Sequence, residues 1–143
     1  LTPETISTIT AASVLHDIGK IRIPDNILTK PERLTDKEFE TVKSHTIEGV
    51  KLLDELVFFQ NEPIIKTAKE ICRWHHERYD GKGYPDGLVG DETPISAQVV
   101  AIADVYASLT SELVYKAPLP HSEAIDMICS NKCGCFNPIL LNK

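Results

Sequence analysis

Apolar residues recur every three or four positions in four separate stretches of this chain, and nowhere do they alternate. Ile6 and Ile9 lead at that spacing to Ser13 and His16, and Phe39, Val42, His45, Gly49, Leu52 and Leu56 share one face. Ile64, Ala68, Ile71 and His75 share another, as do Ile95, Val99, Ile102, Tyr106 and Leu109. A period near 3.6 residues is that of an amphipathic helix, whereas a half-buried strand needs a period of two. The pattern predicts an all-α fold, and 143 residues suffice for one compact helical domain with a core, not for two.

Local signals place the boundaries. Thr2-Pro3-Glu4 reads as a cap, a first-turn proline and an acid at the positive end of a helix, expected to run to His16 and to be ended by Gly19. Pro24 and Pro31 mark residues 21–34 as a structured loop. Thr35-Asp36-Lys37-Glu38 is a capping box that opens the second helix, and Asn61-Glu62-Pro63 opens the third. Residues 79–87 form a loop in Gly and Pro, and four of the seven glycines fall between 81 and 90. A fourth helix follows Pro94, carrying a second stripe of Ala97, Ala101, Asp104 and Ser108, and a short last helix follows Ser122.

Composition narrows the function classes. A net charge of -6 argues against a nucleic-acid polymer as ligand, because a phosphate backbone calls for clustered Lys and Arg. It leaves room for a small anionic substrate met by local charges. No apolar run approaches the roughly 20 residues of a membrane span, so no membrane insertion is expected. The start, Leu1-Thr2-Pro3-Glu4, has neither signal-peptide blocks nor an initiator Met, and the chain reads as a cytoplasmic fragment of something longer. Cys72, Cys129, Cys133 and Cys135 are then reduced thiols, and the last three lack the paired spacing and fourth ligand of a zinc site.

Chemistry concentrates in four places. His16 and Asp17 are adjacent, His45 lies on an inward face, His75 and His76 end the third helix, and Asp104 sits among small residues. Singly, each can be a satisfied core residue. Together, so many imidazoles and carboxylates facing one small core are costly, and divalent cations remove that cost. Nitrogen and oxygen ligands without thiolates suit iron, manganese, zinc or nickel.

The string His16-Asp17-Ile18-Gly19-Lys20, with Ile23-Pro24, Leu28, Lys30-Pro31 and Leu34, resembles the opening of the HD-GYP family within the HD phosphohydrolase superfamily. The resemblance continues through His45-Thr46-Ile47-Glu48-Gly49, His75-His76-Glu77, the run from Asp80 to Leu88 and Ile102-Ala103-Asp104-Val105. It implies a helical bundle of the HD-domain type, a GYP loop beside a metal centre, and hydrolysis of cyclic di-GMP to linear pGpG or GMP. It further implies two divalent ions, iron or manganese before zinc or nickel. Asp17 would bridge them, His16 and Asp104 would hold the first, and His45, His75 and His76 the second. Two metals roughly 3.5–4 Å apart can brace an in-line attack on phosphorus. Lys20 would face the scissile phosphate beside the catalytic Asp17, and Lys116 and Tyr84 would contact substrate. Glu77 and Asp80 would orient ligands from behind or cap the loop. Receiver, sensory or GGDEF-type domains are the expected companions, with an oligomer as one arrangement.

The chain departs from the family pattern at several points. No His precedes His16, so a ligand that the family carries on an upstream helix is cut off or absent. Leu113 stands where active members have an arginine, leaving Lys116, and leucine cannot replace a guanidinium fork. Ala107 replaces a second aspartate, which limits the site to two metals, and Asn137 replaces a commoner aspartate. Two alternatives to a cyclic di-GMP phosphodiesterase stay open: a degenerate binding module, and a hydrolase of another phosphoester.

Overall fold

The computed structural model describes residues 1–112 and 117–142. The helices among them are α1 (Pro3–Ser13), α2 (Asp25–Leu28), α3 (Asp36–Lys43), α4 (His45–Asp54), α5 (Pro63–Trp74), α6 (Ile95–Thr110), α7 (His121–Cys129) and α8 (Pro138–Leu141), with short 3-10 turns at Ile18–Arg22, Val57–Phe59 and Gly90–Glu92. No strand occurs among the described residues, only one isolated bridge between Asp80 and Val89. The fold is all-α, as the periodicity predicts.

Two helix starts follow their sequence signals. Thr2 Oγ1 accepts the Thr5 N–H at 3.2 Å at the head of α1. At α3, Thr35 and Glu38 form the reciprocal capping box, and Lys30 reaches back to Glu38 at 2.7 Å to fasten the preceding loop. The helix ends depart from expectation. α1 stops at Ser13, not at Gly19, and His16 and Asp17 lie in the turn that follows. The expected second helix is two, broken at Ser44. There the hydroxyls of Ser44 and Thr46 donate to the carbonyls of Thr41 and Lys43, so side chains compete with backbone N–H groups for the carbonyls of the last turn.

Gly19 has a different duty from ending a helix. It packs its backbone onto the first turn of α4, and a Cβ there would lie 1.9 Å from the His45 carbonyl oxygen and 2.5 Å from the Gly49 nitrogen. That contact sets the Ile18–Arg22 turn against α4, while α5 packs on α1, α4 and α6. The main core comprises Ile9, Ala12, Leu53, Ala68, Ile71, Cys72 and Val100. A second cluster joins Ala101 and Leu109 of α6 to Ala124 and Ile128 of α7 and to Phe136. On α6 the small-residue stripe is deeper than expected, with Ala97 and Ala101 buried, whereas Ile95 stays exposed. Phe39, expected inside, is 46% exposed and lies beneath the Lys43 ammonium at 5.0 Å.

The loop after α5 is folded back on its own stem. The buried Glu77 carboxylate accepts three consecutive N–H groups, those of Asp86 at 2.7 Å, Gly87 at 3.0 Å and Leu88 at 3.1 Å. Asp86 in turn accepts both Arg73 Nε and Nη2, at 2.8 and 2.9 Å, and Trp74 Nε1 at 2.7 Å. Carboxylates that accept several N–H groups make stronger hydrogen bonds than neutral acceptors.

Two stability changes are expected. Gly19→Ala forces backbone against backbone and is expected to lower unfolding free energy by about 3 kcal/mol, the upper end for overpacking. A denaturant midpoint equal to the parent's would disprove that contact. Glu77→Gln turns an amide N–H₂ toward N–H donors and is expected to cost about 1.5–3 kcal/mol. Chemical denaturation checks this as well, with circular dichroism showing that helix content holds.

Candidate metal centre

Four elements bring their ends to one place: the turn after α1, the first residue of α4, the end of α5, and the middle of α6. Three histidines arrive with the same local geometry. His16 Nδ1 lies 2.8 Å from the Ser13 carbonyl, His45 Nδ1 2.6 Å from that of Val42, and His75 Nδ1 2.8 Å from that of Ile71. Each carbonyl lies in the last turns of the preceding helix and uses its second lone pair for the ring: the Ile71 and Ser13 oxygens also accept the backbone N–H groups of His75 at 3.0 Å and His16 at 3.1 Å. A carbonyl oxygen only accepts, so Nδ1 carries the proton and Nε2 is left as the lone-pair nitrogen in the neutral ring.

Those Nε2 atoms face Asp17. His45 Nε2 is 3.3 Å and His75 Nε2 3.8 Å from Asp17 Oδ1. All three atoms are buried, and none has a hydrogen-bond partner. Two nitrogen lone pairs and a carboxylate oxygen thus face one another with no proton between them. Burial holds the His75 ring down at about 4 and His76 at about 2, and it lowers His45, so at neutral pH these rings are uncharged. Buried acceptors without donors are unfavourable, and a cation is the partner that satisfies them together. Ligand bonds of about 2.0–2.2 Å put neighbouring donors about 3–3.5 Å apart. The His45–Asp17 separation fits that span and the His75–Asp17 separation is slightly wider.

Donor atoms of Asp17, His45, His75 and His76 all lie within 4.8 Å of one another, the one such group of His, Cys, Asp and Glu among the described residues. The cysteines at 129, 133 and 135 do not form one. His16 and Asp104 flank the group on the other oxygen of Asp17: His16 Nε2 is 3.3 Å from Asp17 Oδ2 and 3.8 Å from Asp104 Oδ1. The hydrogen bond to Asp17 is the main cause that raises the His16 pKa, against burial. Lys20 Nζ meets Asp17 Oδ2 at 2.5 Å. Burial alone would raise the Asp17 carboxyl, but hydrogen bonds from the imidazolium form of His16, which holds a proton on both nitrogens, and from Lys20 hold it well below the usual carboxylate range.

The remaining expected residues fall into three groups. Tyr84 stacks on the His76 ring, with centroids 4.8 Å apart and planes at 26°. Glu77 and Asp80 both act on the loop: Glu77 as described, and Asp80 by accepting the Lys82 N–H at 3.2 Å. Leu113 and Lys116 lie outside the described residues. Sequence reasoning passed over Lys43, whose ammonium sits 5.4 Å from the Tyr84 ring centroid. Its place two residues before His45 was a signal, since the last turn of α3 ends at the site.

The HD domain family matches residues 1–137 of this chain. A cyclic di-GMP phosphodiesterase of Thermotoga maritima is 45% identical over 93% of the chain, which covers 35% of that protein. A 3'3'-cGAMP-specific phosphodiesterase 2 of Vibrio cholerae is 39% identical over 91% of the chain, covering 24% of it. The chain spans about a third or less of the length of these curated relatives. A solved HDG"Y"P protein of Bdellovibrio bacteriovorus superposes with a TM-score of 0.71 over 99% of this chain and 43% of its own, at 22% identity, a likeness of fold. From its matched residues and its relatives together, this chain belongs to the HD domain family.

Proposed function

We propose that the chain is the hydrolytic domain of a metal-dependent phosphodiesterase that cleaves a cyclic dinucleotide, cyclic di-GMP first. The observation that carries this is the trio of buried, partnerless acceptors, Asp17 Oδ1, His45 Nε2 and His75 Nε2, converging on one point. His76 completes the set, and Asp17 is the shared carboxylate, its second oxygen turned to His16 and, beyond it, Asp104. Two divalent ions, iron or manganese before zinc or nickel, fit this donor chemistry. When bound, such ions supply Lewis-acid stabilisation of a phosphoryl group and a nucleophile at neutral pH.

The protein's own groups do the rest. The carbonyl-anchored rings keep their lone pairs aimed without rearrangement. Lys20, 42% exposed and paired with Asp17, puts a positive charge at the mouth of the site, where a phosphate oxygen would gather charge during cleavage. Relatives named for cyclic di-GMP and for 3'3'-cGAMP support the cyclic-dinucleotide class. We further propose a cytoplasmic place within a longer signalling protein, in the company of receiver, sensory or GGDEF-type domains. No helix among the described residues is long and apolar enough to cross a membrane. One observation favours the binding-module reading: Ala107, one turn beyond Asp104, adds no carboxylate to a flank that already holds fewer donors than the four-residue group.

Elemental analysis of protein prepared anaerobically with iron and manganese is expected to give about two ions per chain, one for each side of Asp17. The His45→Ala/His76→Ala variant should lose them, and with them at least about 100-fold in cyclic di-GMP hydrolysis. Metal well below one per chain in the parent would overturn the hydrolase in favour of the binding module. Turnover of a simple phosphodiester but of neither cyclic dinucleotide would move the substrate class. Lys20→Met is expected to retain metal and lower kcat by roughly 10²-fold, the scale of one lost electrostatic contact. An unchanged kcat would remove Lys20 from the reaction.

A further inference from the structure

His76 is the exception among the clustered rings. His16, His45 and His75 are each oriented by an Nδ1–H bond to a helix-end carbonyl. His76 has no ring hydrogen bond among the described residues. Its neighbours are other rings: His75 at 4.0 Å, tilted, Tyr84 at 4.8 Å, nearly parallel, and His45 at 5.1 Å, edge-on.

We infer that Tyr84 is the positioning residue of His76, its phenol ring doing for this imidazole what a carbonyl does for the other three, so that the loop conformation sets the fourth donor. The inference rests on the metal reading of the site. Four contacts hold the ring in place. The Tyr84 N–H donates to the His76 carbonyl at 3.3 Å, tying the two residues through backbone as well as rings. Gly83 lies so close to the stem that a Cβ would stand 2.4 Å from Glu77 Cα and 2.4 Å from the Arg78 nitrogen. Glu77, the residue after His76, grips the far side of the loop through the N–H groups of Asp86, Gly87 and Leu88. Lys43 Nζ lies 5.4 Å from the Tyr84 centroid, within reach of a cation–π attraction to the ring.

The phenol oxygen makes no hydrogen bond among the described residues, so the flat ring, not its hydroxyl, carries this role. That separates positioning from substrate contact. A tyrosine that hydrogen-bonds substrate is impaired by Tyr84→Phe, whereas one that stacks on His76 is preserved by it and impaired by Tyr84→Leu, which keeps apolar bulk but has no plane.

The test starts with the metal-free protein labelled for imidazole NMR. Ring-to-ring nuclear Overhauser contacts between Tyr84 and His76 are expected in the parent, and their absence overturns the inference whatever any variant does. In Tyr84→Leu the His76 signals should lose the part of their ring-current shift that Tyr84 supplies while those of His45 and His75 stay, and Tyr84→Phe should keep the parent pattern. Manganese(II) affinity, measured by competition with a chelating dye, should fall by roughly 10–100-fold in Tyr84→Leu, as for a lost support of a metal ligand, and stay near the parent's in Tyr84→Phe. Unmoved His76 signals with parental affinity in Tyr84→Leu would overturn the role. A parent that takes up no manganese would instead overturn the metal reading, leaving the metal-free spectra to decide the tyrosine.

Discussion

The hydrogen bond from a histidine Nδ1 to the carbonyl at the end of the preceding helix is the constraint around which this site is built. It acts at both ends of one ring. The carbonyl fixes the direction in which the ring points, and the same bond favours the neutral tautomer whose Nε2 carries the lone pair. Because His16, His45 and His75 all follow this rule, the positions of helix ends become the positions of donors. At the end of α3 side chains share the last carbonyls with the backbone: Ser44, His45 and Thr46 bond the carbonyls of Thr41, Val42 and Lys43 in succession, and the Ser44 N–H also reaches Thr41.

That arrangement has a cost the rest of the fold must cover. Each buried acceptor left without a donor costs about 1–3 kcal/mol, and Asp17 Oδ1, His45 Nε2 and His75 Nε2 are three of them at one point. The scaffold resists their separation by close backbone packing. Gly19 is pressed onto the His45 turn, so the turn bearing Asp17 cannot drift from α4. Ile71 and Cys72, both fully buried, anchor the last turn of α5 a few residues before His75. The Cys72 thiol donates to the Leu15 carbonyl at 3.0 Å, linking α5 to the very turn that carries His16 and Asp17.

Much of this was legible in the residues. Helical periodicity gave the all-α class, the capping box located the start of α3, and the ordered His and Asp positions named the residues that converge. Periodicity does not register where a helix stops when the stop is made by side chains competing for carbonyls. This is why periodicity alone extends α1 to His16 and joins α3 and α4 into one helix. The spacing that put Phe39 on an inner face was measured along that unbroken helix, and the break at Ser44 turns α3 so that Phe39 lies outside under Lys43. The pairing of Glu77 with three loop N–H groups was equally hidden, because it depends on a chain reversal of some ten residues that no local pattern encodes.

The charges around the site are unevenly matched. The chain carries a net charge of -6, and the carboxylates of Asp17 and Asp104 stand at the site itself. The nearby ammonium groups are already engaged, Lys20 with Asp17 and Lys43 with Glu40 at 2.6 Å. A phosphodiester anion would gain little from these two lysines, since each charge is met by a carboxylate, and the exposed Arg78 is a further cation on the pocket wall beside His75, His76, Tyr84 and Asp104. The donor set that is short of protons is therefore also short of positive charge, and a divalent ion seated on Asp17 answers both deficits at once. In such an arrangement, holding a cation and attracting an anion would be two parts of a single problem of charge.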